Sequence, residues 1–64
     1  MDSLNIYKRA KNDILQSRDV LELQVAKNYM DLAKFHVNFN QWNDLQMNYE
    51  NKKQLLTENI YNGY

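Results

Sequence analysis

Nothing between Met1 and Asn62 forces this backbone out of a helix: the chain has no proline, and its only glycine is Gly63. Those two residue types are the strongest local breakers of regular structure, so the burden falls on apolar spacing to say what forms. Apolar residues recur at intervals of three and four, and strand-like alternation never persists. Asp2 or Ser3 suits the cap at the start, and Gly63 suits the left-handed position that closes a helix, with Tyr64 beyond it.

Written as heptads, one column holds Tyr7, Ile14, Leu21, Asn28, Phe35, Trp42, Tyr49 and Leu56. The column four residues later holds Lys11, Arg18, Val25, Leu32, Phe39, Gln46, Lys53 and Ile60. The register is unbroken, though the second column is half polar. From Leu15 to Val37 a flanking set of Leu15, Ala26, Tyr29, Met30, Ala33 and Val37 widens the apolar face beyond a two-stranded seam, toward a bundle of three or more helices.

The clearest turn signal is Asn38 to Asn43, where three Asn fall within six residues. Asn38 followed by Gln41 matches a capping box with Asn in place of Ser or Thr. The expected fold is therefore all-α: a helical hairpin with a long helix over about 3–37 and a shorter one over about 41–61. At ~1.5 Å per residue these would measure ~52 Å and ~31 Å. The shorter helix would cover only about residues 17–37 of the longer, leaving Leu4, Tyr7, Ala10, Ile14 and Leu15 without an intramolecular partner. Pairing two hairpins into a dimeric four-helix bundle would cover them. The alternative is one continuous long helix in a coiled coil.

Size supports the need for a partner. At 64 residues the chain is a single helical domain, 1–64, and one core of that size supplies no more than ~3–5 kcal/mol. With no cysteine, neither a disulfide nor a thiolate metal site can reinforce it. Eight Lys plus Arg balance eight Asp plus Glu, so no net field draws the chain toward phosphate backbones or anionic lipid. Charges interrupt every stretch long enough to span a bilayer, and Met1-Asp2-Ser3 lacks the basic start and apolar run of a signal peptide. A cytoplasmic location without membrane association is expected.

Side chains that could carry chemistry are sparse. His36 is the lone histidine, one turn after Leu32, with no second His or Cys to complete a ligand set; if buried in a helix interface it would make association pH-sensitive. Arg18 with Glu22, Lys27 with Asp31, and Asp31 with Lys34 have the spacing of surface ion pairs. Ser3, Ser17 and Thr57 have no base nearby in sequence, and one glycine cannot build a phosphate loop. No catalytic, cofactor-binding or metal residues are expected, and no cofactor.

Two features remain. Lys8, Arg9 and Lys11 form a basic patch near a helix start, where positive charge opposes the helix dipole. Asn28 interrupts an apolar column, as polar residues do where they fix the register or oligomer state of a helical seam.

The expected interface or core residues are Leu4, Tyr7, Ile14, Leu21, Val25, Asn28, Leu32, Phe35, Phe39, Trp42, Tyr49, Leu56 and Ile60. Within this set, Phe35, Phe39, Trp42 and Tyr49 are expected to hold the hairpin together, since aromatics bring large buried areas to small proteins; the alternative is a partner-binding hot spot. The functional expectation is a small non-enzymatic protein–protein interaction module, a self-associating regulator or adaptor that forms a homodimer and binds a further protein. The alternatives are a dimeric nucleic-acid-binding protein using Lys8, Arg9 and Lys11, and a structural subunit of a filament or phage-like assembly.

Overall fold

The computed structural model describes the backbone of residues 3–62 and the side chains of residues 3–58; Asp2, Ile60 and Gly63, named above, lie outside the described side chains. Three helices form: α1 (Ser3–Gln16), α2 (Val20–Ala33) and α3 (Phe39–Asn62). Each packs against both others, and no strand occurs among the described residues. The chain is all-helical, as expected, but it is neither a hairpin nor a rod.

The correction lies at residues 17–19. Asp19 leaves the helix with extended backbone, and its carboxylate accepts the Glu22 backbone N–H at 2.8 Å. The Glu22 carboxylate reaches back to accept the Arg18 N–H, also at 2.8 Å. This reciprocal cap satisfies donors that the start of a helix would otherwise leave orphaned. On the other side, the Ser17 N–H closes onto the Ile14 carbonyl at 3.2 Å, and the buried Ser17 hydroxyl donates to the Asp13 carbonyl at 2.8 Å. The helix expected over about 3–37 is thus two antiparallel helices.

The second turn follows the sequence signal. Asn38 accepts the Gln41 N–H at 2.8 Å while Gln41 accepts the Asn38 N–H at 3.1 Å. Helix α3 begins immediately after this cap, at Phe39 rather than near 41.

Helices α1 and α3 run parallel, as two contacts of identical sequence separation require. The Tyr7 hydroxyl donates to the Asp44 carboxylate, and the Lys52 ammonium donates to the Leu15 carbonyl at 3.1 Å, each spanning 37 positions. Lys52 thereby supplies a cation and a donor to the open carbonyl end of α1.

Ile6, Ala10 and Ile14 of α1, Leu23, Ala26, Met30 and Ala33 of α2, and Leu45 of α3 form the buried core. The first turns of α1 therefore have intramolecular partners. The overhang exists at the opposite end: α3 has 24 residues against 14 in each of the others, so its last part extends ~14 Å past the end of α1 at ~1.5 Å per residue.

Candidate functional site

Helix α2 carries two apolar faces. Successive side chains rotate by about 100°, which places Leu23, Ala26, Met30 and Ala33 together on one side, and those are the buried ones. Leu21, Val25, Asn28 and Leu32 share an arc of roughly 60° on the other side. All four are exposed.

The expected row thus divides. Ile14 is fully buried, and Tyr7, Trp42, Tyr49 and Leu56 are half-buried against the core. Leu4 is exposed, as are Leu21, Val25, Leu32, Phe35 and Phe39, the last five at 67–81 %. The aromatic cluster expected to hold the turn together separates accordingly: Trp42 and Tyr49 pack inward, whereas Phe35 and Phe39 project outward. Hydrogen bonds from the Phe35 N–H to Leu32 and from the His36 N–H to Ala33 wind the chain past the end of α2, so Phe35 prolongs the outward row. His36 is exposed in this turn, which removes the burial that its expected pH role required.

Lys27 and Lys34 belong to the inward side of α2. Lys27 lies 5.8 Å from the Tyr49 ring centre and Lys34 lies 5.6 Å from that of Trp42. The expected Lys27–Asp31 and Asp31–Lys34 pairs do not form among the described residues, whereas Arg18 and Glu22 do pair, at 3.5 Å. Cations over aromatic rings occur about once per 70–80 residues in general. This short chain has contacts of that kind between α2 and both of its neighbours, since Arg9 of α1 also lies 5.0 Å from the Tyr29 ring centre.

The basic patch is drawn in as well. Lys11 pairs with the Asp44 carboxylate at 3.1 Å and donates to the Tyr7 hydroxyl at 3.3 Å. Hydrogen bonding from Tyr7, then from Lys11, holds the Asp44 carboxyl below its ordinary range; hydrogen bonds to Asp44 and Tyr7 hold the Lys11 ammonium above its own. With Arg9 stacked and Lys11 bridged, Lys8 alone of the three extends into solvent without such a contact among the described residues.

A shallow open cleft between the end of α1 and the start of α2 is lined by Asp13, Gln16, Ser17, Glu22, Val25 and Ala26. Its hydroxyl is bound to a main-chain carbonyl and its Glu22 carboxylate is engaged in the cap, so the cleft presents helix-end hydrogen bonding. Among the described residues no group of three or more His, Cys, Asp or Glu is placed to hold a metal ion, and no helix is long and apolar enough to cross a membrane. Internal packing leaves the outward face of α2 uncovered, and on α3 it leaves Met47 and Leu55 exposed as well.

Comparison with family models, curated proteins and solved structures finds no match.

Proposed function

We propose that this protein is a small non-enzymatic interaction module, a self-associating regulator or adaptor that works through the outward apolar face of α2. One observation carries the reading: Leu21, Val25 and Leu32, prolonged by Phe35 just past the end of α2, remain exposed in a chain whose core is closed by other residues. Scattered exposed leucines are normal, but an exposed apolar row on one helix marks an interaction surface. Zero net charge lets copies approach without mutual repulsion. Self-association under this reading joins three-helix bundles, in place of the four-helix bundle that two hairpins would give.

The test is solution mass by light scattering coupled to chromatography, with circular dichroism across the same dilution series. Mass should rise above 7.8 kDa with concentration and fall on dilution, while helical signal persists because the core is intramolecular. A single monomeric mass up to millimolar concentration would remove the reading.

A further inference from the structure

We infer that the occupant of the α2 face is a second copy of the same face, docked antiparallel about a two-fold axis that passes beside Asn28. The inference rests on the interaction reading above and specifies its partner and geometry.

Area is the first argument. With aromatic side chains carrying ~150–250 Å2 each and exposures of 67–81 % across Leu21, Val25, Leu32 and Phe35, the face offers on the order of 500 Å2. Typical monomers have a largest apolar patch of ~300–600 Å2. A stable interface takes ~800 Å2 from each partner, so this row forms the apolar centre of a helix-on-helix contact whose remainder is polar rim.

Symmetry is the second. Leu21 and Phe35 stand seven residues to either side of Asn28, with Val25 three before it and Leu32 four after. An antiparallel copy centred on Asn28 sets Leu21 of each chain against Phe35 of the other, and Val25 against Leu32. Every apolar member then meets an apolar member, and Asn28 meets its own image. An Asn amide has both a donor and an acceptor, so two copies satisfy each other across the axis. A purely apolar partner would leave that amide buried and unpaired, which is costly. Antiparallel docking also aligns the two α2 dipoles favourably.

Charge is the third. Lys27 and Lys34 lie toward the inward side of α2, over Tyr49 and Trp42, and bring no positive charge into the contact. All the contacting side chains are exposed in the single chain, so docking requires no unfolding.

Because the chain has no native cysteine, single-cysteine variants report the geometry through oxidative cross-linking. Asn28→Cys should link with itself, and Leu21→Cys mixed with Phe35→Cys should give the mixed disulfide in preference to either like pair. Leu55→Cys, on α3 away from the face, should remain largely unlinked. Light scattering on the unmodified protein runs alongside. A dimer in which Leu21→Cys links with itself as readily as with Phe35→Cys, or in which Leu55→Cys links and Asn28→Cys does not, would overturn this inference and leave the interaction reading standing. A monomer at all concentrations would overturn both.

Discussion

The Asp19 carboxylate accepts the Glu22 backbone N–H at 2.8 Å, and the Glu22 side chain returns to the Arg18 N–H at the same distance. This pair converts one long helix into two, and with them a hairpin into a three-helix bundle. Asp19→Ala should cost about 1 kcal/mol, the usual penalty for losing such a cap, seen as a lower urea midpoint. Replacing Ser17, Arg18 and Asp19 together by alanine should also favour a helix running through from α1 into α2. Circular dichroism would then show more helix with less cooperative melting; unchanged helix content and stability would contradict the role given to Asp19.

Among the described residues, Leu45 is the single fully closed side chain that α3 contributes to the core. Leu45→Ala should lose ~2–5 kcal/mol, comparable to the whole ~3–5 kcal/mol available to one core of this size. The variant is expected to be largely unfolded at room temperature. Leu21→Ala, at an exposed position, should change the stability of the dilute single chain by under ~0.5 kcal/mol. Equal effects of the two substitutions on chemical denaturation would contradict the burial pattern.

The Tyr7–Lys11–Asp44 cluster makes stability depend on pH in a defined sense. The Asp44 carboxyl is depressed in the folded chain, so its contribution is present above the ordinary carboxylate range and is lost as pH falls through the lowered value. The Lys11 ammonium is raised, so its contribution is present below the ordinary lysine value and is lost as pH rises through the raised one. Side-chain exposures of 37 % and 40 % make the effect small. Melting temperatures of the wild type and Asp44→Asn should therefore differ at pH 7 and converge near pH 2. A difference that survived at pH 2 would mean that Asp44 acts through something other than its charge.

Asn28→Leu should strengthen association while loosening its geometry. A polar residue inside an apolar seam fixes register at a cost in stability, so its removal should tighten the dimer about tenfold or more, equivalent to ~1.4 kcal/mol. Mixed cross-linking patterns should appear at the same time. Unaltered association in a dilution series would show that Asn28 simply faces water.

The helical class and the second turn were legible because each rests on local chemistry: no breaker before Gly63, and an Asn38–Gln41 cap that folds as its spacing indicates. The first turn was legible in principle. Asp19 followed three residues later by Glu22 is a helix-start signature, but Arg18 and Glu22 also have the spacing of a surface ion pair, and one carboxylate does both jobs. That single ambiguity governed the rest. On α2, Leu21, Val25 and Leu32 form the stronger heptad row, whereas Ala26, Met30 and Ala33 look like its flank. Periodicity detects both faces without saying which one meets the protein's own core. Once α1 folds back, the Ala-rich side is covered and the Leu21 side is left outside. Leu23 and Leu45 belong to neither heptad column, and only tertiary packing shows that they are buried.

Sedimentation equilibrium on the wild type and on the double variant Leu21→Asp, Phe35→Asp, which sets like charges against each other across the axis, tests most directly whether the outward face of α2 drives association. Both positions are exposed in the single chain, so the variant should keep its helical signal. The expected result is a concentration-dependent dimer for the wild type and a folded monomer near 7.8 kDa for the variant. A wild type that stays monomeric, or a folded variant that dimerises as strongly as the wild type, would contradict it.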